Sequence, residues 1–89
     1  MNEARVALIR ERIEQALDPT ELRIKDQSHL HAGHAGAESG MGHFDVFVRS
    51  KSFDGQSRIQ RHQQVYAAVG DMMQTDIHAL SIRALAPDD

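Results

Sequence analysis

The sequence predicts a two-layer α+β sandwich in the order α-β-β-α-β, with two helices covering one face of a three-stranded mixed sheet. Two observations lead to this prediction. Two segments repeat apolar residues at intervals of three and four, and three shorter segments alternate apolar with polar residues. The 89 residues, 40% of them hydrophobic, can build one modest core, so we expect a single domain over residues 1–89.

The first amphipathic segment predicts a surface helix near the N-terminus rather than a signal peptide, because acidic residues interrupt its apolar stripe. The stripe consists of Val6, Ile9, Ile13 and Leu17. Asn2 is a suitable N-cap, and Asp18-Pro19 predicts the end of the helix, because the residue before proline avoids the helical conformation.

Alternation predicts three strands, at Glu21–Asp26, His43–Lys51 and Ile77–Leu85. The residues expected to point toward the helices on the second and third strands are Phe44, Val46, Val48, Leu80, Ile82 and Ala84. Phe47 falls on the opposite face, where it packs against a loop or marks a surface for a partner.

The second amphipathic segment predicts the principal helix. A turn at Asp54-Gly55 precedes it, and Ser57 with Gln60 has the spacing of a capping box. We expect the helix to end around residues 74–76. Its predicted apolar arc contains Ile59, His62, Val65, Tyr66, Val69, Met72 and Met73. A histidine in the middle of such an arc is expected to be mostly buried, close to the sheet.

Composition narrows the function classes. The chain has no cysteine, which excludes disulfides, thiolate metal sites and a cysteine nucleophile within it. It has no apolar run long enough to cross a bilayer, so we expect a soluble chain with no membrane association, and the absence of cysteine fits a cytoplasmic location. The residues show no complete catalytic set, neither a Ser/His/Asp arrangement nor paired carboxylates, and we therefore do not expect an enzyme.

Histidines are the unusual feature of the composition, with six in the chain. Three of them, His29, His31 and His34, lie in the glycine-rich loop predicted between residues 28 and 42. Imidazole is a common metal ligand, but by composition alone solvated loop histidines remain the favoured interpretation. His78 stands at the start of the third strand with the parity of Leu80, where a half-buried, hydrogen-bonded histidine is the ordinary alternative.

A local cluster of basic residues is the feature that favours nucleic-acid binding. It consists of Arg49, Lys51, Arg58 and Arg61. The overall net charge of −3 opposes that function, because nucleic-acid-binding domains are usually basic. A solvated helix face is the favoured interpretation of this cluster.

Four short motifs in register resemble the BolA family. They are Phe53-Asp54-Gly55, Arg61-His62, Val65-Tyr66 and His78-Ala79-Leu80, which match the family pattern F-x-G, R-H-x-x-V-Y and H-A-L. The resemblance extends from about residue 6 to residue 87. It implies an α-β-β-α-β domain similar to the class II KH fold, with a short extra helical turn near the principal helix.

The resemblance also implies a function. In BolA-like proteins the histidine of H-A-L, here His78, is a ligand of a two-iron, two-sulfur cluster shared with a monothiol glutaredoxin. Glutaredoxin and glutathione would supply the thiolates, so no cofactor is expected in the isolated chain, which should be a monomer or a weak dimer. Some members are described as DNA-binding transcriptional regulators, which is the alternative function for this chain.

The resemblance assigns the second cluster ligand, in one branch of the family, to a histidine of the loop between the first two strands. Counting forward from Asp26-Gln27-Ser28 gives His31, and counting back from His43-Phe44 gives His34. We favour His31, because the preceding strand end anchors the forward count. The loop should be the least ordered internal segment of the free chain, leaving His78 open to solvent.

Overall fold

The computed structural model describes residues 2–28 and 40–89, and it has the predicted α+β architecture with a three-stranded mixed sheet. The elements in chain order are α1 (Glu3–Leu17), β1 (Glu21–Asp26), β2 (Gly42–Arg49), a 3₁₀ turn (Lys51–Phe53), α2 (Arg58–Val69), α3 (Met72–Thr75) and β3 (Ile77–Leu85). The short α3 agrees with the extra helical turn implied by the family resemblance.

Strand β2 lies in the centre of the sheet, antiparallel to β1 and parallel to β3. The inner face of the sheet packs against the helices, and Val46 on that face pairs with Ile24 on β1 and Ile82 on β3. The buried core contains Ile9, Ile13, Leu17, Phe44, Val46, Val48, Phe53, Val65, Val69, Met72, Ile77 and Ala86. The predicted alternation on β2 is therefore confirmed, and Leu80 and Ile82 pack partly buried against the same core.

The second strand is shorter at its end than predicted, because the chain turns at Ser50. This side chain is fully buried, and its hydroxyl donates to the carbonyl of Leu17 at 2.6 Å while accepting from the backbone N–H of Ser52 at 3.1 Å. A buried hydroxyl with both partners close by stabilises one local geometry. Ser50 thus joins the end of α1 to the 3₁₀ turn and directs the chain away from the sheet.

The first helix begins and ends as predicted, but the side chain of its N-cap residue does not make the expected capping hydrogen bond. Asn2 occupies the N-cap position without a capping hydrogen bond. Its amide instead donates to the hydroxyl of Ser28 at 3.1 Å, and its carbonyl oxygen accepts from Arg5 at 3.2 Å. The Asn2 side chain, which the local sequence assigns to the cap, therefore contacts Ser28 instead, a residue far from it along the chain.

The capping box at the start of α2 is confirmed, with reciprocal hydrogen bonds between Ser57 and Gln60. The predicted end around residues 74–76 is wrong, because α2 ends at Val69. Gly70 has a φ of +55°, a conformation that glycine adopts far more readily than other residues, and its N–H bonds the carbonyl of Tyr66. The chain then forms α3 as a separate helical turn.

The buried face of α2 is rotated from the predicted apolar arc. Ile59 is 71% exposed and Tyr66 is 42% exposed, so the prediction was wrong for both. Arg61, predicted outside the arc, is 17% exposed at its side chain because backbone carbonyls of Gln56 and Ala84 accept its hydrogen bonds. Polar side chains can occupy a helix's buried face when the surrounding backbone satisfies their donors.

This rotation makes a matched pair of truncations informative. We expect Val69→Ala to lower the free energy of unfolding by roughly 0.5–3 kcal/mol, because it leaves a cavity beside fully buried neighbours. Ile59→Ala should change it by no more than about 0.5 kcal/mol, since that side chain is mostly in solvent. Urea denaturation of both variants measures the difference. Equal losses would place Ile59 in the core and contradict the observed helix face.

Candidate functional site

A β-bulge at the start of β3 turns His78 toward solvent. Gly42 pairs with Ile77 and the next residue of β2, His43, pairs with Ala79, so His78 is the extra residue of β3. Ile77 is fully buried while His78 is exposed, although sequence parity had put His78 on the inner face with Leu80. Bulges commonly re-aim a side chain in this way. The prediction that His78 is open to solvent is confirmed.

The imidazole of His43 is the immediate neighbour of His78. The two ring centroids lie 5.0 Å apart with the rings inclined at 44°. The backbone of His43 is held on both sides, because its N–H donates to the hydroxyl of Ser28 at 3.0 Å and its carbonyl accepts from Gln27 at 2.8 Å. Sequence reasoning used His43 only to count along the loop and missed its place beside His78.

Both ends of the loop between β1 and β2 are fixed near this histidine pair. At the first end, the N–H of Ser28 donates to the Asp26 carboxylate at 2.9 Å. At the other end, Arg5 donates to the carbonyl of Gly40 at 2.7 Å, and the N–H of Gly42 donates to the carbonyl of Asp76 at 2.9 Å. The loop therefore starts and finishes beside His43.

The three loop histidines, His29, His31 and His34, lie outside the described residues, as does the prediction that this loop is the least ordered segment. Chain length alone bounds their reach. His31 is three residues beyond Ser28, a span of roughly 10 Å when extended, and His34 is six residues from either loop end, a span of roughly 20 Å. Either span is therefore long enough to allow the histidine to approach His78. The choice between His31 and His34 stays a prediction.

The chemistry available to this arrangement is ligation by imidazole. The described residues contain no group of three or more His, Cys, Asp or Glu side chains able to enclose a metal. The whole chain has no cysteine, so it can contribute no thiolate. The exposed imidazole of His78 is accessible as one metal ligand among several, and any further ligands would come from outside the described residues.

The basic cluster predicted for nucleic acid is largely occupied by internal contacts. Arg49 bonds Glu21 at 2.8 Å and the carbonyl oxygens of Ala86 and Asp89 at 2.9 and 3.0 Å, and its side chain is 21% exposed. Arg61 bonds the carboxylate of Asp89 besides two backbone carbonyls. Lys51 and Arg58 remain exposed. The structure thus leaves two of the four cations accessible.

The ion pair between Asp89 and Arg61 makes a pH-dependent contribution to stability. The Ala86 backbone N–H, and after it the Arg61 guanidinium, hold the pKa of the Asp89 carboxyl below its ordinary value. A lowered folded-state pKa stabilises the fold above the unfolded pKa, and this contribution is lost as pH falls through the folded value.

We therefore expect Asp89→Asn to be less stable than wild type at neutral pH, with the difference closing below about pH 4. Thermal unfolding of both proteins across that range measures it. A difference independent of pH would contradict the ionic origin of the contact.

His62 is half-buried and lies beside β3, so its predicted position near the sheet is confirmed. It lines a depression of about 520 Å³ together with Gln56, Arg58, Arg61 and the residues Ile82 to Leu85. None of these lining residues is a carboxylate or a nucleophile. His62 consequently has no partner there for general acid–base chemistry.

Comparison with known proteins identifies relatives over nearly the whole chain. The family described as "BolA-like protein" matches residues 13–89. Protein BOLA1, chloroplastic, of Arabidopsis thaliana is 39% identical over 98% of this chain, which spans 56% of that relative. The DNA-binding transcriptional regulator BolA of Haemophilus influenzae is 32% identical over 92% of this chain and 77% of its own length.

Solved structures agree with these relatives. The BolA domain of SufE1 from Arabidopsis thaliana superposes with a TM-score of 0.83 at 38% identity, covering 96% of this chain and 94% of that one. The chain spans less than two thirds of the length of its plant and mammalian relatives, which include Protein BOLA1 of Arabidopsis thaliana and BolA-like protein 1 of Mus musculus. Among the described residues, no helix has the length and apolar character needed to cross a bilayer.

Proposed function

The chain belongs to the BolA-like protein family, and from that premise we propose that it is a non-enzymatic adaptor that binds a monothiol glutaredoxin and shares a two-iron, two-sulfur cluster with it. In this proposal His78 is the ligand that the chain provides from its rigid scaffold. A loop histidine, His31 or His34, provides the second. The adaptor takes part in the trafficking or regulation of iron–sulfur clusters.

The observation that carries the proposal is the exposure of His78 at the β3 bulge. A side chain that served only the core would follow the parity of Leu80 and point inward. The bulge instead presents the imidazole to solvent beside a loop whose ends are fixed next to it. An exposed ligand on a rigid strand is accessible to a metal group that a second protein carries.

In this function the residues of the chain itself would bind the cluster and orient the His78 imidazole. The sheet holds the backbone of His78, and the neighbouring His43 ring limits the space in which the His78 imidazole can turn. A cluster bound at such a site can change oxidation state, and imidazole in place of thiolate raises its reduction potential. The absence of cysteine fits a division of ligands between two proteins.

The cellular compartment is also a proposal. The relatives include proteins named as chloroplastic or chloroplastic/mitochondrial and proteins of bacteria. We retain the cytoplasmic location expected from the sequence as a proposal, in keeping with the bacterial relatives. Expression of the chain with a fluorescent tag in its source cells tests this.

The test of the function mixes the purified chain with a cluster-loaded monothiol glutaredoxin. We expect a heteromeric complex in size-exclusion chromatography and a visible absorption spectrum that differs from that of the glutaredoxin alone. The control is apo-glutaredoxin with the same chain. An unchanged spectrum together with no complex would overturn the proposal.

DNA-binding transcriptional regulation is the second candidate, and the names of the bacterial relatives favour it. The structure gives it less support, because Arg49 and Arg61 are engaged in internal hydrogen bonds. Lys51 and Arg58 alone make a small electrostatic footprint on a chain whose net charge is −3. The adaptor function is therefore our first proposal.

A further inference from the structure

The outer face of the sheet, opposite the helices, carries accessible side chains in the described part of the protein. Pairing places Arg23, Phe47 and Arg83 in one row across the three strands, and Lys25, Asp45 and Ser81 in the next. These residues surround a shallow depression of about 550 Å³. The adaptor function proposed above makes no use of this surface.

Phe47 is the centre of this outer face. Its ring is half-buried, and guanidinium groups approach it from both neighbouring strands. The central guanidinium carbon of Arg23 lies 4.8 Å from the ring centroid, and that of Arg83 lies 5.9 Å from it. Both distances are those of cation–π contacts. The arrangement holds two planar cations over one aromatic ring on a flat, accessible surface.

The charge of the outer face differs in sign from that of the whole chain. Its strands present four cations, Arg23, Lys25, Arg49 and Arg83, and two carboxylates, Glu21 and Asp45. Glu21 is paired with Arg49 and Arg23, and Asp45 accepts a hydrogen bond from Gln27. Lys25 and Arg83 have no ion pair with any described residue. The face is thus positive although the chain as a whole is at −3.

We propose that this face is a binding platform for single-stranded nucleic acid. Aromatic rings and arginine planes on an open sheet stack unpaired bases, while cations beside them contact phosphates. Arg23 and Lys25 stand two residues apart on β1, about 7 Å, so a nucleic-acid backbone running along that strand meets two cations. A duplex keeps its bases stacked internally and cannot use the Phe47 ring.

The platform is separate from the cluster ligand. His43 and Phe47 are four residues apart on β2, which is about 13 Å along the strand. The proposal therefore does not depend on glutaredoxin or on a cluster, and its failure would leave the adaptor function untouched. It also differs in place from the cluster of Arg49, Lys51, Arg58 and Arg61, with which it shares only Arg49.

The experiment is a fluorescence-anisotropy titration of a labelled oligothymidylate of about ten nucleotides with the full chain at low salt. We expect measurable binding that weakens as salt rises. Phe47→Leu keeps an apolar side chain but removes the aromatic face, and we expect it to weaken binding roughly tenfold. Arg83→Gln and Lys25→Gln should each lower the slope of log affinity against log salt by about 0.7.

The matched control is Arg10→Gln, which removes the same charge from an exposed residue of α1, on the helical side of the sheet. It should leave the affinity within about twofold, and far-UV circular dichroism should show that every variant is folded. Three outcomes would overturn the proposal: no binding at low salt, equal losses in Arg10→Gln and Arg83→Gln, or full binding by Phe47→Leu. Tighter binding of polyglutamate or of duplex DNA than of the single strand would also overturn it.

Discussion

His78→Ala should abolish the heteromeric cluster, so that its mixture with cluster-loaded glutaredoxin shows only the visible spectrum of the glutaredoxin itself. In our proposal His78 is the one ligand that the chain holds on its sheet, and no other described histidine is both exposed and adjacent to the loop ends. His43 is the nearest imidazole, but it is half-buried and its backbone is tied to Ser28 and Gln27. We therefore expect no substitute ligand on the scaffold.

Substitution of a loop histidine should affect the shared cluster differently from substitution of His78. His31→Ala should leave a cluster with an altered spectrum or lower stability, because His34 or His29 lies on the same loop and can replace it. The spectrum of each variant complex, compared at matched protein concentration, measures the difference.

His62→Gln serves as the matched control, since it removes a histidine that lies beside β3 but outside the candidate site. It should retain the wild-type spectrum. Thermal unfolding confirms that each variant is folded before spectra are compared. A wild-type spectrum from the His78→Ala complex would refute the ligand assignment.

Phe53→Ala should produce the largest loss of stability, about 3–5 kcal/mol in the free energy of unfolding. Phe53 is completely buried at the end of the 3₁₀ turn and belongs to the hydrophobic core. Truncation leaves a large cavity in a small core. Total stabilities of domains this size are about 5–15 kcal/mol, so the variant would be close to unfolding at room temperature.

The matched control for this variant is Phe47→Ala, the same substitution at a half-buried position on the outer face. Its loss should be clearly smaller, because solvent can fill the space that the ring leaves. Urea denaturation measures the two losses, provided that the unfolding free energy of both variants falls with the same slope against urea concentration. A loss for Phe53→Ala no greater than that of the control would show that the core does not depend on this ring.

The same residue explains one of the sequence motifs. In Phe53-Asp54-Gly55, the ring of Phe53 fills the core and Gly55 has a φ of +72°, which a side chain would strain. The F-x-G spacing therefore joins a core anchor to a turn, and the capped start of α2 follows directly. Local rules suffice for the turn at Asp54-Gly55 and for the cap, and both were predicted correctly, whereas the 3₁₀ turn and the burial of Phe53 were not predicted.

The sequence by itself determined the fold class, the element order, the inner face of β2 and the capped start of α2. These features follow from short-range rules, namely the period of apolar residues and the hydrogen bonds of a cap. The alternation of apolar and polar residues along β3 could not predict the exposed position of His78, which depends on the bulge. The motif assigned it a role, but parity placed it on the inner face.

Only the tertiary structure decided where His78 points, which histidine lies beside it and which arginines are accessible. The bulge arises because Ile77 and Leu80, three residues apart, both pack against the core next to β2. Arg49 and Arg61 are engaged because chain segments distant in sequence bring carbonyls and a carboxylate to them. Such contacts join residues far apart along the chain, and no local pattern of residue types encodes them.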